Sequence, residues 1–227
     1  MRFSKVIYMF LFVSILVLTP ITVLGSTETA INNLSSGGIK IVDYIALAGT
    51  GFIVFILKIL HSQGFKLKEN DILPLINKLS YKNPDWSLDN IKKVVETTFF
   101  AIQESWTNNT YYNVKDLMTP DLYNKHIAKL NEMTSNYKTN ILKDIKINEL
   151  YLVSASESNY NNPGFIWINI QASMIDYILD IRTNEVSSDN KNTNSFEEYW
   201  KFIYINDKWL LCEILQKDSV INISQLS

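Results

Sequence analysis

The apolar residues of this chain fall into two groups, one before residue 61 and one after residue 86. The first group contains two long apolar segments. The earlier segment, MRFSKVIYMFLFVSILVLTPITVLG (residues 1–25), has a basic start and an apolar run from Val6 to Leu18. This pattern is typical of a signal peptide cleaved after Gly25, or of an uncleaved first membrane segment. A buried helix of a soluble fold fits less well, because nothing polar marks a face toward solvent.

The second apolar segment, residues 41–60, follows a polar spacer at residues 26–40. About 20 helical residues cross the ~30 Å hydrocarbon layer of a bilayer, so this segment is predicted to be a transmembrane helix. Its only charged residues are Asp43 and Lys58, each near one end. Its small residues either form a contact surface for another helix or are merely tolerated there; they are Ala46, Ala48, Gly49 and Gly51.

Basic residues flank the two segments on their outer sides and predict the orientation of the chain. Arg2 and Lys5 precede the first segment, and Lys66 and Lys68 follow the second. Positive charge resists translocation, so we expect the spacer outside and the rest of the chain in the cytoplasm, at the inner (plasma) membrane. Residues 61–83 are predicted to be a juxtamembrane linker or a short amphipathic helix on the bilayer.

From residue 84 the apolar pattern becomes helical. Six apolar residues recur every three or four positions and predict one helix of about five turns, with Ser87 as its N-cap and Asn108-Asn109 at its end; they are Leu88, Ile91, Val95, Phe99, Ile102 and Trp106. A second helix is predicted to start at Thr119-Pro120, with Pro at the first helical position. Its apolar residues are Leu122, Ile127, Leu130, Met133 and Tyr137.

After Asn140 the period changes to two, which predicts strands at residues 145–153 and 165–181. In the second strand the apolar phase slips after Met174, since Asp176 would otherwise join the apolar face, and this predicts a bulge. The stretch SFEEYWKFIYINDKWLLCEIL (residues 195–215) has two apolar arms that join at Asn206-Asp207, a predicted hairpin turn. We expect a curved antiparallel sheet, with the helices on one face and a partner, a second copy or a ligand on the other.

Two stretches of the chain have a characteristic combination of motifs: PDWSLD…FFAIQESWTNNT (84–110) and ASMIDYILDIRTNEVSSDN…SFEEYWKFIYINDKWLLCEI (172–214). Together they resemble the C-terminal domain of the mitochondrial inner-membrane translocase, subunit 44, and its bacterial relatives. The resemblance covers residues 84–216 and leaves residues 217–227 as a tail. It implies a cone-shaped α+β fold of the nuclear-transport-factor-2-like type, with a pocket between helix and sheet, close to a membrane. The import function is not carried over, because the region that recruits the motor chaperone is not recognisable here.

Composition narrows the candidate chemistry. The chain is 47% hydrophobic with a formal net charge of -2, and it lacks the basic excess that nucleic-acid binding requires. The single cysteine, Cys212, cannot form an internal disulfide and is predicted to be a small core residue. His61 and His126 have no second His or Cys at ligand spacing, so no metal site is predicted. Nothing in the sequence indicates a phosphate-binding loop, and no cofactor is expected.

Asp176, beside Tyr177 in an apolar strand, is the one candidate for acid or base catalysis, since burial in a pocket would raise its pKa. Alternatively it lies at a bulge or strand edge and bonds to backbone amides or a lysine. Five aromatic strand residues either line a pocket or belong to the core; they are Trp167, Tyr177, Trp200, Tyr204 and Trp209.

We therefore expect a membrane-anchored, non-catalytic binding or scaffold protein that presents this domain to a protein or lipid partner. A small-molecule enzyme that uses Asp176 and a scaffold that works as a homo-oligomer are the alternatives.

Overall fold

The computed structural model describes residues 37–186, 192–220 and 226, with side chains described from Thr50 onward. The predicted signal segment (residues 1–25) and residues 26–36 of the spacer lie outside the described residues. The chain divides into two compact units, Met1–Gln63 and Gly64–Ser227. The helices are α1 (Gly37–Lys82), α2 (Leu88–Thr107) and α3 (Pro120–Ser135), with short 3₁₀ helices at Pro84–Trp86, Tyr111–Leu117 and Lys217–Ser219. The strands are β1 (Lys138–Ser156), β2 (Gly164–Asp180), β3 (Thr193–Ile205) and β4 (Lys208–Gln216).

The described part of the first unit is the beginning of α1. Residues 41–49 of the predicted transmembrane segment are helical, and their side chains lie outside the description. Further along, large apolar side chains of the helix are exposed; they are Phe52, Val54, Phe55, Leu57 and Ile59. Among the residues that the structure describes, no helix combines the length and hydrophobicity needed to cross a membrane.

In the second unit, α1 continues to Lys82 and passes through Pro74 without ending. Proline inside a helix removes one backbone hydrogen bond. Packing offsets this cost, because Phe65, Ile76 and Leu79 are buried in the second unit. Residues 64–82 are therefore part of the folded domain, and they belong to a longer helix than the short amphipathic one predicted within residues 61–83.

Helix α2 confirms the predicted apolar stripe. Ile91, Val95 and Phe99 are completely buried. The predicted cap also forms, since the N–H of Asn90 donates to Ser87 Oγ at 3.3 Å. The helix ends at Thr107, and Asn109 takes a positive φ of 54°, a conformation that asparagine tolerates better than most residues.

Helix α3 starts at Pro120 as predicted, but its cap differs. The side chain of Thr119 makes no capping hydrogen bond. Its backbone N–H instead donates to the carbonyl oxygen of Leu211 at 2.8 Å, which ties the start of α3 to strand β4. The placement of Tyr137 on the apolar face of this helix was wrong: the helix ends at Ser135, and Tyr137 has a φ of 55° and is half exposed.

The sheet has four antiparallel strands in the order β1-β2-β3-β4. The predicted α+β class is therefore confirmed, although β1 is longer at both ends than the predicted strand at 145–153. The predicted hairpin turn is also confirmed, since Asn206 and Asp207 have φ values of 51° and 56°, as the primed two-residue turns require.

The predicted bulge after Met174 lies on the neighbouring strand. Strand β2 pairs with β3 from Gly164 to Ile175 without interruption. Its pairing with β1 shifts between Lys143 and Lys146, where Asp144 has a φ of 52°. Two residues of β1 thus oppose Met174 alone, and the extra residue belongs to the edge strand, where a bulge disturbs only one ladder.

Each face of the sheet has its own apolar cluster. The main core lies between the helices and one face, where Ile166, Ile168 and Ile170 of β2 alternate. The opposite face carries a second buried cluster formed by Phe65, Tyr151, Val153, Trp167, Tyr199 and Leu226. The sequence pattern predicted that a partner, a second copy or a ligand covers this face of the sheet. Two residues of the chain itself contribute to covering it: Phe65 from α1 and Leu226 from the C-terminal tail.

Candidate functional site

The two motifs that carry the family resemblance meet in space. Trp86, from the segment PDW, packs edge-on against Trp209 of the hairpin segment NDKW, with ring centroids 4.6 Å apart. Tyr204 completes the group, 5.0 Å from Trp209 and 5.9 Å from Trp86. Edge-to-face aromatic pairs at such distances contribute about 0.5–1.5 kcal/mol beyond their buried area. We call Trp86, Tyr204 and Trp209 the aromatic cluster.

Hydrogen bonds hold the aromatic cluster to the 3₁₀ helix at Pro84–Trp86 and its N-cap residue, just before α2. The hydroxyl of Tyr204 donates to Asp85 Oδ2 at 2.7 Å, and the indole N–H of Trp209 donates to the carbonyl oxygen of Asp85 at 3.0 Å. Asn83 Nδ2 donates to the Tyr204 hydroxyl at 2.8 Å. Burial and the bond to the Asp85 carboxylate raise the pKa of Tyr204, so the hydroxyl stays a donor at neutral pH.

Gly164, the first residue of β2, lies against the ring of Trp86. A Cβ atom at this position would lie 2.7 Å from Cζ2 and 2.8 Å from Cη2 of that ring, and 3.2 Å from the carbonyl oxygen of Ser156. Only glycine fits here without displacing the indole. The absence of a side chain at residue 164 therefore permits the close packing of the cluster.

A cavity of about 430 Å³ lies beside the aromatic cluster. Four segments of the second unit form it: the 3₁₀ helix at Pro84–Trp86, the first turns of α2, the end of the 3₁₀ helix at Tyr111–Leu117, and the β3–β4 turn. Its apolar wall consists of Val94, Leu117 and Trp209. Charged, amide and hydroxyl side chains make up the rest, including Thr98, which is only 3% exposed.

Of the five aromatic residues predicted from the strands, Trp209 lines this cavity. Tyr204 belongs to the aromatic cluster, while Trp200 is 1% exposed in the main core and packs against Phe99. Trp167 lies in the cluster on the opposite face of the sheet. Tyr177 lies near the far end of β2, where Lys143 Nζ is 5.8 Å from its ring centroid. These five residues do not form one site.

Asp176 lies on β2 opposite Leu142 of β1, and its side chain is exposed. Neighbouring residues still desolvate the carboxyl enough to raise its pKa, and a hydrogen bond with the Asn140 side chain opposes this shift. Asp176 is not among the residues that line the cavity beside the aromatic cluster.

His126, on helix α3, contacts the aromatic rings of Trp106 and Tyr111. It hydrogen-bonds the Tyr111 hydroxyl, and its ring centroid is 5.6 Å from that of Trp106. Burial lowers the pKa of His126, which favours the neutral imidazole. His61 is exposed on α1. In the described part of the chain, no group of three or more His, Cys, Asp or Glu side chains could hold a metal ion.

Cys212 is half-buried on β4, and its thiol donates to the carbonyl oxygen of Lys201 at 3.4 Å. Burial raises the pKa of this thiol to about 11, so the reactive thiolate is scarce at neutral pH.

Sequence reasoning did not identify the polar residues of the cavity. The available signal was Thr98, which lies between Val95 and Ile102 on the buried stripe of α2. A hydroxyl on the apolar face of an amphipathic helix needs a partner or a cavity. Nothing comparable marks Asp116 or Lys93, which are isolated charges on exposed positions.

Comparison with known proteins agrees with the motifs. The profile of the Tim44-like domain matches residues 76–216, a range that starts in the last turns of α1. Among solved structures, the intermembrane space region of the chloroplast protein ARC6 is similar over 56% of this chain and 94% of its own, at 8% identity and a TM-score of 0.42. No curated protein matches the chain significantly. The chain therefore belongs to the Tim44-like domain family.

Proposed function

We propose that this protein is a membrane-anchored, non-catalytic binding or scaffold protein. Its apolar segment at residues 41–60 crosses the inner (plasma) membrane. Its Tim44-like domain lies on the cytoplasmic side and binds a protein or lipid partner there. The observation that carries the proposal is the exposed apolar surface of α1 on a chain with a Tim44-like domain.

The exposed surface of α1 is more apolar than a helix in water tolerates. Val54 is 64% exposed, and Phe55 and Leu57 are each 59% exposed. Moving a side chain of this size out of water contributes about 1.5–3 kcal/mol. Contiguous apolar surface of this kind marks an interaction with a membrane or a protein. Together with the apolar residues that precede Thr50, it supports a membrane anchor.

Further along α1, residues of the second unit fix the helix to the domain. Glu69 Oε2 accepts a hydrogen bond from the N–H of Leu152 at 2.9 Å, on the outer edge of β1. Lys92 of α2 pairs with the same carboxylate at 3.0 Å. The Glu69 side chain is only 15% exposed, so both interactions form largely out of water. This junction supports a scaffold role, because it makes the end of α1 an integral part of the domain.

Alkaline carbonate extraction of membranes that contain the full chain tests the anchor. We expect the unaltered chain to stay in the pellet and the double variant Phe52→Lys/Val54→Lys to be released, since a charge near the centre of a membrane segment costs about 2.5–3.5 kcal/mol. The matched control is Tyr112→Lys/Tyr160→Lys, which changes two exposed aromatic residues of the second unit. Release of the unaltered chain, or equal release of both double variants, would contradict the proposal.

Crosslinking in intact membranes tests the binding role. The full chain should capture protein or lipid that a stalk-only chain of residues 1–83 does not capture. Identical products from the two chains would contradict the role of the domain. The mass of the detergent-solubilised full chain separates a homo-oligomeric scaffold from a domain that binds a different molecule.

A further inference from the structure

Thr98 contributes a hydroxyl to the wall of the cavity beside the aromatic cluster. Thr98 is 3% exposed and lines the cavity. Its hydroxyl has no hydrogen bond to a residue in the described part of the chain, and the oxygen atom is not fully buried. A polar molecule in the cavity can therefore reach this hydroxyl.

Charges of both signs surround the same cavity. Asp85, Asp116 and Asp207 contribute carboxylates, and Lys93 and Lys208 contribute ammonium groups. None of these five side chains forms an ion pair with another described residue. A ligand with only one charge would contact only one of the two sets. A ligand that carries both charges would satisfy the two sets together.

The apolar wall of the cavity is already in place. Trp209 is 7% exposed, is hydrogen-bonded to the backbone of Asp85 and is packed on two sides by Trp86 and Tyr204. A fixed wall reduces the entropy that binding would otherwise lose. The volume of about 430 Å³ lies in the range of sites that hold small molecules.

We infer that this cavity binds a small zwitterion, a molecule with a primary ammonium group close to a carboxylate or phosphate. The ammonium group faces the carboxylates, and the anionic group faces Lys93 and Lys208. Two sources offer this chemistry: a free amino acid or short peptide, and the headgroup of an aminophospholipid. The inference rests on the proposed binding role of the domain and not on the membrane anchor.

Fluorine NMR of the full chain labelled with 5-fluorotryptophan and held in lipid-free detergent micelles tests the inference. The chain has five tryptophans, and the Trp209 resonance is assigned from the Trp209→Phe spectrum. The probes are phosphoethanolamine and the dipeptide Ala-Ala, with ethylamine and methyl phosphate as single-charge comparisons. We expect at least one zwitterion to shift the Trp209 resonance saturably, while Trp167, on the opposite face of the sheet, stays unchanged.

Variants assign the binding to the cavity. Lys93→Gln and Asp116→Asn should each weaken the Kd of the zwitterion about tenfold, which corresponds to about 1.4 kcal/mol per lost charge contact. The matched controls are Lys125→Gln and Asp121→Asn, exposed charges of α3 outside the cavity. Thr98→Val, which keeps the shape and removes the hydroxyl, should also weaken binding.

Several outcomes would overturn the inference: no saturable shift with either zwitterion, equal affinity for ethylamine or methyl phosphate, or equal effects of cavity and control variants. The source is then assigned in phosphatidylcholine nanodiscs. A Trp209 shift on adding phosphatidylethanolamine supports the lipid headgroup, and a shift with the free dipeptide alone supports a soluble ligand. Failure of these experiments leaves the carbonate extraction result unchanged, so the inference and the membrane anchor fail separately.

Discussion

Replacing Gly164 with alanine tests whether the aromatic cluster is packed as tightly as its distances indicate. The added Cβ would lie 2.7 Å from Cζ2 of Trp86, well inside van der Waals contact. The indole cannot simply rotate away, because Trp209 lies edge-on at 4.6 Å between ring centroids and Trp86 is only 6% exposed. Overpacking of this kind costs about 1–3 kcal/mol. We expect the free energy of unfolding of the second unit to fall by that amount.

Urea unfolding of the full chain in detergent, followed by tryptophan fluorescence, measures this loss. All five tryptophans lie between Trp86 and Trp209, so the signal reports the second unit alone. The matched control is Gly64→Ala in α1, where no atom lies within 4 Å of the added Cβ. Alanine is favoured over glycine inside a helix by roughly 0.5–1 kcal/mol, so the control should be neutral or slightly stabilised. A Gly164→Ala chain as stable as the unaltered protein would refute the packing argument.

Three further outcomes follow from the described contacts. Glu69→Gln should lower the free energy of unfolding by about 1–3 kcal/mol, because the partly buried carboxylate loses its charge toward Lys92. Glu157→Gln breaks only exposed ion pairs and should change the free energy of unfolding little. Urea unfolding compares the two variants. Burial lowers the pKa of His126 below its ordinary 6.5, so the unfolded chain binds more protons at this residue than the folded chain does. The free energy of unfolding should therefore fall as the pH is lowered from about 7 to about 5. Thermal unfolding of His126→Gln should show a smaller fall over the same range. The thiol of Cys212, with a pKa of about 11, should react with iodoacetamide at pH 8 much more slowly in the folded chain than in urea, as mass spectrometry would show; equal rates would contradict its burial.

Local patterns were sufficient to predict several elements. The stripe from Leu88 to Trp106 predicts α2 because every contact that defines the helix lies within four residues along the chain. The hairpin at Asn206-Asp207 is equally local, since both residues tolerate positive φ.

Other features depend on contacts between residues distant in sequence. The phase change after Met174 was visible, but only the pairing of strands shows that the extra residue lies in β1 near Asp144. The close fit of Gly164 against Trp86 joins residues 78 positions apart and has no local signal. Phe65 and Leu226 cover the far face of the sheet, although neither belongs to a strand or to a regular apolar stripe.

Labelling of cysteines from outside intact cells tests the central claim most directly, which is that the anchor places the Tim44-like domain in the cytoplasm. In a Cys212→Ser background, one reporter replaces Ser35 in the spacer and another replaces Asp121, an exposed residue of α3. A membrane-impermeant maleimide should label Ser35→Cys on whole cells and Asp121→Cys only after lysis. Labelling of Asp121→Cys on whole cells would contradict the proposed orientation and, with it, the cytoplasmic location of any partner.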